Sequence, residues 1–165
     1  MQTDIPVTAA IRVLRQARVD FVPHPYPYVE RGGTRHSSRA LGVDEHVVIK
    51  TIVMETRQDD GRLRPVIVLM HGDREISTKQ LARVLGVKTV GPASEAAVEK
   101  YTGYMPGGVS PFGTRLAVPV FVEESVLELE HIFINGGKRG FLVRLSPSVL
   151  TTLLHATPVQ VGYEG

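Results

Sequence analysis

The sequence predicts an α+β fold, a single compact domain over residues 1–165 with a mixed, curled β-sheet and surrounding helices. Two observations support this prediction. Segments with helical periodicity and a capping residue alternate with short apolar runs typical of strands. Two of those runs flank an Asp59-Asp60-Gly61 turn, which predicts a β-hairpin. No internal repeat or low-complexity linker interrupts the sequence.

The N-terminal third combines a helix with a proline-rich extended segment. Thr8 can cap a helix that runs to about Arg18 and keeps its apolar residues on one face. A strand begins at Phe21–Val22, and the prolines that follow force the chain into an irregular extended path (Pro23, Pro25 and Pro27). A short helix is expected near Ser37–Leu41, ending at Gly42.

The central third contains the predicted hairpin. Val47–Met54 is apolar at nearly every position, which predicts a strand covered on both faces. Pro65–Met70 is its expected antiparallel partner. Ser77 or Thr78 then caps a helix that runs to Leu85.

The remaining elements are shorter. Pro92 is expected to open a helix that runs to about Tyr101, with Ser94 as a candidate cap. Leu116–Val122 predicts a strand that Pro119 confines to an edge or a bulge. The other predicted elements are strands at Lys88–Val90, His131–Ile134, Phe141–Leu145 and Pro158–Val161, and a helix from Ser146-Pro147 to about Leu154.

The composition, at 42% hydrophobic and 22% charged residues, is typical of a soluble globular protein. The absence of cysteine excludes disulfides, a thiol nucleophile supplied by the protein and cysteine-based zinc sites. No apolar run reaches the length needed to span a bilayer, and the N-terminal segment lacks the features of a signal peptide. We therefore expect a cytoplasmic protein with no membrane partner.

Charge gives a weak indication of an RNA partner. The net charge of +2 is too small to indicate nucleic acid by itself, and we expect no DNA partner. The first 39 residues nevertheless carry six arginines and three acids (Arg12, Arg15, Arg18, Arg31, Arg35 and Arg39; Asp4, Asp20 and Glu30). Such a face could meet phosphates, with a solvated helix surface as the alternative.

A lysine lies inside the apolar run Val47–Met54. The Lys50 ammonium is costly to bury unless it reaches water, a carboxylate or an anionic ligand. One interpretation is a cation at the floor of a pocket, where it binds a phosphate or a carbonyl oxygen or serves as a base. The other is a lysine at a strand end whose side chain reaches solvent. The run alone leaves both open.

Two glycine-rich segments are the other candidate features. Residues 103–113 read GYMPGGVSPFG, and residues 135–140 read NGGKRG. Neither is compatible with a regular helix or a central strand, because glycine loses much backbone entropy on folding and proline lacks a donor. We interpret Lys50 and the two segments as walls of one small pocket.

The first segment offers successive backbone amides to a ligand, those of Gly107, Gly108, Val109 and Ser110. Such amides can hold an oxyanion or a phosphate. No Lys-Ser or Lys-Thr pair follows the glycines, so the segment is not a P-loop, and no helix-forming run follows it, so it is not a dinucleotide fingerprint. A purely structural loop is the alternative.

The second segment places Asn135, Gly136 and Gly137 after an apolar strand and before Lys138 and Arg139. Backbone amides beside two cations would suit an anion. The alternative is a tight hairpin turn with both cations solvated.

The histidines do not form a recognisable metal motif, since no pair has the helical spacing of a zinc site and no HExxH occurs. We expect no metal and no cofactor. His24, Tyr26 and Tyr28, in the proline-rich segment, could line the mouth of the pocket, although a surface loop is the commoner place for such residues. Ser110 is not in a GxSxG elbow, and no Ser-His-Asp arrangement is recognisable.

Taken in order, four motifs resemble those of the YbaK family, which includes the editing domain of bacterial prolyl-tRNA synthetases. They are HPY at His24–Tyr26, IKT at Ile49–Thr51, TGYMPGGVSPFG at Thr102–Gly113 and INGGKRG at Ile134–Gly140. The resemblance extends from about Thr8 to Val161. Each motif is unspecific alone, and their order and spacing carry the resemblance.

The resemblance implies a compact α+β fold with a barrel-like mixed sheet. It also implies hydrolysis of the ester between a wrong amino acid and the terminal ribose of a tRNA. Free-standing members commonly act on tRNA(Pro) that carries cysteine or alanine, so aminoacyl-tRNA is the implied partner and prolyl-tRNA synthetase a second candidate. The family's pocket lysine matches Lys50, and its pocket tyrosine matches Tyr26. Its glycine loops match Gly107, Gly108, Gly136 and Gly137.

The sequence departs from the cysteine-clearing members at two positions. Those members tend to carry serine where this chain has Asn135, and an acid where it has Leu142. Cysteine specificity is therefore uncertain, whereas the hydrolase interpretation stands because Lys50 and the glycines remain. An aminoacyl ester is already activated, so positioning and oxyanion stabilisation can suffice, with water or a group of the substrate as the attacking species.

Two other functions remain open. One is a binding module without turnover that recognises tRNA or a nucleotide through the same glycine loops. The other is hydrolysis of a different small acyl ester.

Overall fold

The computed structural model describes residues 5–165, so Asp4 and the other residues before Ile5 lie outside the described part. The described chain contains both helices and strands, which confirms the α+β prediction. The helices are α1 (Ala9–Gln16), α2 (Gly33–Leu41), α3 (Thr78–Leu85), α4 (Glu95–Thr102) and α5 (Ser148–Thr152), with short 3-10 helices at Glu45–Val47 and Glu124–Glu128. The strands are β1 (Val22–Pro25), β2 (Val48–Arg57), β3 (Leu63–His71), β4 (Glu75–Ile76), β5 (Thr89–Pro92), β6 (Val120–Glu123), β7 (Ile132–Lys138), β8 (Phe141–Leu145), β9 (Thr157–Val159) and β10 (Gly162–Tyr163).

The main sheet is mixed and runs in the order β1-β8-β7-β2-β3-β6-β9, with β5 paired to β2. The pairs β2–β7, β3–β6 and β6–β9 are parallel, and the others are antiparallel. Strands β4 and β10 form a separate two-stranded sheet. Buried clusters cover both faces of β2, with Ile49 and Val53 in one cluster and Met54 in another, as the apolar run predicted.

Helices α1, α3 and α4 begin at capping residues that the sequence predicted. Thr8, Ser77 and Ser94 each accept a hydrogen bond from a backbone N–H in the first turn of the helix that follows. Ser77, rather than Thr78, is therefore the cap of α3. Helix α2 begins earlier than predicted, at Gly33, and ends at Gly42 as expected.

Three predictions are wrong in detail. Pro92 ends β5 instead of opening a helix, and α4 begins only at Glu95. Strand β6 lies between β3 and β9 instead of at an edge or a bulge. It starts at Val120, because Pro119 has no N–H to pair and contributes only its carbonyl, which accepts from Ile67 N at 2.9 Å. The proline-rich segment does form a strand, β1, which is tolerated because it lies at the sheet edge.

The second glycine segment also departs from expectation. Asn135, Gly136, Gly137 and Lys138 belong to β7, whereas this segment was expected to be incompatible with a central strand. The register to β8 shifts between Asn135 and Lys138, which marks a bulge. A bulge accommodates the extra residues without ending the strand.

The predicted hairpin is confirmed as β2 paired with β3. On its other edge β2 pairs with β7 only at Val48 and Ile49, and with β5 only from Met54 onward. The edge of β2 is therefore open between these two partners, and this opening positions the candidate site. Within residues 5–165, no helix has the length and apolar character needed to cross a bilayer.

Candidate functional site

A cavity of about 530 Å³ lies against the open edge of β2. Its volume falls in the range of small-molecule sites. The walls come from β2 between Val48 and Ile52, from the segment between Tyr26 and Ser37, and from both glycine segments, with Glu95 at the start of α4. Side chains of both charge signs line it, the cations being Arg31, Lys50 and Arg139 and the carboxylates Glu30 and Glu95.

The structure brings together half of the predicted site residues. Lys50, Tyr26, Gly107, Val109 and Asn135 all line this cavity. The other predicted residues do not line it, namely His24, Gly108, Ser110, Gly136 and Gly137. Direct contact between these five residues and a substrate stays a prediction. Several of them pack against, or form hydrogen bonds within, the segments that line the cavity.

Lys50 contributes to the cavity, while its ammonium is already engaged. Its Nζ donates to the carbonyl oxygen of Arg74 at 2.5 Å and lies 3.9 Å from Glu75 Oε1. The side chain is 21% exposed, so the ammonium is neither buried alone nor freely solvated. This geometry combines the two interpretations of the sequence, because the cation lines a cavity and is anchored to the turn before β4.

Asn135 connects the two glycine segments. Its Oδ1 accepts from Gly137 N at 2.7 Å and from Lys138 N at 3.1 Å. Its Nδ2 donates to the Gly107 carbonyl oxygen at 3.3 Å. The side chain therefore holds the β7 bulge and the first glycine segment together. The backbone amides that it binds belong to the second glycine segment, where the sequence predicted donors for an anionic ligand.

Close packing explains the glycine at position 108. A Cβ there would lie 2.8 Å from the backbone nitrogen of Arg139, so only glycine permits this approach of the two segments. Gly108 N donates to the Met105 carbonyl oxygen at 2.9 Å, and the Ser110 hydroxyl accepts from Phe112 N at 3.1 Å. Gly108 and Ser110 are both buried, and these contacts fix the shape of the first glycine segment.

Two amides of the first segment remain available at the cavity. Among residues 5–165, the backbone N–H groups of Gly107 and Val109 have no acceptor. The tyrosine hydroxyl of Tyr104 donates to the Phe112 carbonyl oxygen at 2.5 Å and so fixes the segment. Burial raises the pKa of Tyr104 to about 12, so this donor keeps its proton. The segment can therefore present two preorganised donors to an anionic oxygen.

The sequence placed Tyr28 at the mouth of the pocket and Arg139 beside the second glycine segment, but it did not predict the contact between these two residues. The Arg139 guanidinium lies 5.3 Å from the centre of the Tyr28 ring, and its Nε donates to the Pro106 carbonyl oxygen at 2.8 Å. Both residues line the cavity. The KRG motif indicated a cation near the site, but the same motif is equally compatible with a solvated arginine beside a turn.

The two aromatic residues of the HPY motif have different environments. Tyr26 lines the cavity, and burial raises its pKa. His24 packs edge-on against Phe133, with ring centres 5.1 Å apart, and its Nε2 is buried without a hydrogen-bond partner among the described residues. Burial and then the Arg144 charge lower the pKa of His24. This histidine therefore favours its neutral form and packs against Phe133.

A cluster of possible metal ligands lies away from the cavity lining. His46, His71 and Asp73 place ligand atoms within 4.8 Å of one another. The two imidazoles are stacked, with ring centres 3.7 Å apart and planes 6° apart. Because ring lone pairs lie in the ring planes, those of a parallel stack do not converge on one ion. Each histidine is instead hydrogen-bonded within the protein, His71 to the His46 carbonyl oxygen and to Ser125, and His46 to Asp73.

The chain is similar in sequence to named relatives. It is 28% identical over 147 residues to a protein of Enterococcus faecalis that carries the provisional name Cys-tRNA(Pro)/Cys-tRNA(Cys) deacylase EbsC, covering 88% of this chain and 87% of that one. It is 27% identical over 105 residues to the proline–tRNA ligase of Limosilactobacillus fermentum. That match covers 64% of this chain, which spans only 18% of the ligase.

Solved structures have the same fold. One, described provisionally as a trans-editing enzyme for prolyl-tRNA synthetase, superposes with a TM-score of 0.79 at 21% identity and covers 97% of this chain and 99% of that one. A hypothetical protein of known structure superposes with a TM-score of 0.83 at 20% identity, covering 94% and 99%. These likenesses confirm the predicted architecture.

The family assignment rests on a match between residues 34–153 and the family model described as the aminoacyl-tRNA editing domain. This segment includes the IKT motif and both glycine segments, and it therefore contains most of the cavity wall. The predicted resemblance and the predicted enzyme class, an aminoacyl-tRNA deacylase, are confirmed at the level of the family. The chain belongs to the aminoacyl-tRNA editing domain family.

Proposed function

We propose that this chain is a trans-editing hydrolase that deacylates tRNA(Pro) carrying a small wrong amino acid, alanine or cysteine. The observation that carries the proposal is the cavity on which Lys50, Gly107 and Asn135 converge, inside the segment that matches the editing family. The relative named for Cys-tRNA(Pro) deacylation supports the choice of tRNA.

The reaction needs little from the protein beyond positioning. Water adds to the ester carbon, the bond to the ribose oxygen breaks, and that oxygen takes a proton, which leaves a free amino acid and a free tRNA end. The Gly107 and Val109 amides, which have no acceptor among the described residues, would donate to the oxygen that becomes negative. Lys50 and Arg139 supply positive charge on two walls of the cavity, which suits an RNA end.

Alanine is the better candidate substrate. The positions where cysteine-clearing members tend to carry serine and an acid hold Asn135 and Leu142, and both residues line the cavity. Leu142 is buried in a small apolar cluster with Val48 and Phe133. An apolar wall suits a methyl side chain and offers no polar partner to a thiol.

The test is a deacylation panel with Ala-, Cys- and Pro-tRNA(Pro), comparing the wild type with Lys50→Ala. We expect Ala-tRNA(Pro) to be hydrolysed fastest and the substitution to lower kcat/KM about a hundredfold, the loss typical when one stabilising donor is removed. Lys88→Ala is the matched control, because Lys88 is exposed and does not line the cavity. Full activity of a folded Lys50→Ala variant would refute the proposed role of the lysine.

A binding module without turnover is the second candidate. It is favoured by the number of site groups already engaged in the protein, since Lys50 donates to Arg74 and Asn135 accepts two glycine-segment amides. This candidate predicts tight binding of aminoacyl-tRNA without release of amino acid across the panel. Measured turnover above the rate of spontaneous ester hydrolysis excludes it.

A further inference from the structure

The open edge of β2 leaves the main-chain N–H and C=O of one residue facing the cavity without a strand partner. In an antiparallel pair, successive residues direct their N–H and C=O groups alternately toward one neighbour and away from it. The Val48 carbonyl accepts from Gly72 N at 2.7 Å, on the β3 side. The Val53 carbonyl accepts from Ala93 N at 3.1 Å, on the β5 side. By this alternation, Lys50 and Ile52 face β3, and Thr51 faces away from it.

Thr51 faces the part of the edge where β2 has no partner. Strand β7 pairs with β2 only through Ile49, and β5 pairs with it only from Met54, so neither reaches Thr51. Among residues 5–165, no hydrogen bond involves the N–H or C=O of Thr51 on this edge. Thr51 lines the cavity. A main-chain donor and a main-chain acceptor thus lie side by side at the cavity wall. Removing both groups from water without giving them new hydrogen-bond partners would cost free energy.

We infer that the aminoacyl group of the substrate pairs with the main chain of Thr51 as a one-residue β-strand. The α-ammonium donates to the Thr51 carbonyl oxygen, and the ester carbonyl accepts from the Thr51 N–H. An α-amino ester carries these two groups at the spacing of a peptide residue, so it can form the two-bond ring of an antiparallel pair. This inference rests on the proposed function and names the groups that hold the reacting ester.

This pairing supplies main-chain partners for both polar groups of the amino ester, in addition to the carboxylates of Glu30 and Glu95 that line the cavity. Leu142, which lines the cavity and belongs to a buried apolar cluster, cannot bind an ammonium group. A backbone carbonyl can accept from the ammonium, and a backbone N–H can polarise the ester carbonyl as charge develops on its oxygen. The contact uses only atoms common to all α-amino esters, so size selection is left to the surrounding walls.

The side chain of Thr51 does not make this contact. Its Oγ1 is buried and has no hydrogen-bond partner among the described residues. Valine has nearly the same shape, so Thr51→Val removes the hydroxyl and leaves the main chain unchanged. Thr51→Pro removes the main-chain N–H as well, and proline is tolerated at a strand edge where the N–H has no partner. Ile52→Pro is the contrasting control, because the Ile52 N–H faces β3.

The experiment measures thermal unfolding and kcat/KM on Ala-tRNA(Pro) for these three variants. Thr51→Val is the reference for Thr51→Pro, because it removes the hydroxyl and keeps the main-chain N–H. Thr51→Pro should stay folded and lose about a hundredfold, as when one oxyanion donor is removed, and Ile52→Pro should unfold. Equal activity of folded Thr51→Pro and Thr51→Val would overturn the inference.

A substrate comparison decides the question if Thr51→Pro fails to fold. Propionyl-tRNA(Pro) has the shape of the alanyl ester without its ammonium. After correction for spontaneous hydrolysis, we expect wild-type kcat/KM on it to be at least about tenfold lower, the effect of one charge-assisted hydrogen bond. Equal values for the two esters would overturn the inference.

A binding measurement separates this inference from the proposed function. In ¹⁵N-labelled wild type, 3′-deoxy-3′-(alanylamino)adenosine, whose amide resists hydrolysis, should shift the Thr51 amide resonance. If the protein hydrolyses no aminoacyl-tRNA and the shift occurs, the proposed function fails and the pairing stands. If the analogue leaves the Thr51 resonance unchanged at saturating concentration, the pairing is overturned whatever the activity.

Discussion

Replacing Asn135 by alanine should destabilise the fold by loosening the contact between the two glycine segments. The substitution removes the acceptor of Gly137 N at 2.7 Å and Lys138 N at 3.1 Å, and the donor to the Gly107 carbonyl at 3.3 Å. A net hydrogen bond contributes about 0.5–1.5 kcal/mol. Asn135 is only half-buried, so water can replace part of the loss. The third bond is long, so we count two and expect a decrease of about 1–3 kcal/mol in the free energy of unfolding.

Urea denaturation followed by circular dichroism measures this decrease, because a stability change at constant m-value shifts the midpoint. Asn135→Asp is the matched control. It keeps the Oδ1 acceptor for both backbone amides and loses only the donor to Gly107, so it should stay closer to wild type than Asn135→Ala does. Equal midpoints for wild type and Asn135→Ala, or equal losses for the two variants, would refute the bridging role of Asn135.

Two further predictions concern pH and salt. Burial lowers the pKa of His71 below its ordinary value, so the unfolded state binds more protons near that value, and the free energy of unfolding should fall as the pH is lowered from 6.5. Denaturation at several pH values should show this slope reduced in His71→Gln, and an unchanged slope would exclude His71 as its source. Arg35 and Arg39 are exposed on α2, whose residues His36 and Ser37 line the cavity. Reversing both charges should weaken tRNA binding and flatten its dependence on salt concentration, and an unaltered salt slope would place the RNA contact elsewhere.

The sequence predicted most elements because their signals are local. A capping hydroxyl beside a helical pattern located α1, α3 and α4, and the apolar run with its turn located the β2–β3 hairpin. The sequence-based prediction failed where pairing between strands decides which element forms. Pro92 is compatible with a helix start and with the end of an edge strand, and only its position opposite Met54 in the sheet selects the second.

The sequence predicted part of the lining of the cavity, and the roles of these residues stay predictions. Lys50, Gly107 and Asn135 meet at one cavity as the glycine segments and the lysine indicated. Gly108, however, is required by packing against Arg139, and the motif alone does not distinguish a glycine that faces a ligand from one that faces a neighbouring loop. Both demands exclude a Cβ, so the sequence signal is the same.

The sequence by itself determined the family, the hydrophobic strand that carries Lys50 and the positions of the glycines in the two glycine-rich segments. The tertiary structure decided which polar groups are free. The amide of Gly137 donates to Asn135, whereas the N–H and C=O of Thr51 have no strand partner, because the pairing of β2 with β7 ends at Ile49 and its pairing with β5 begins at Met54. Hydrogen bonding between distant segments depends on strand register and on where each partner ends, and neither property is encoded in any one segment.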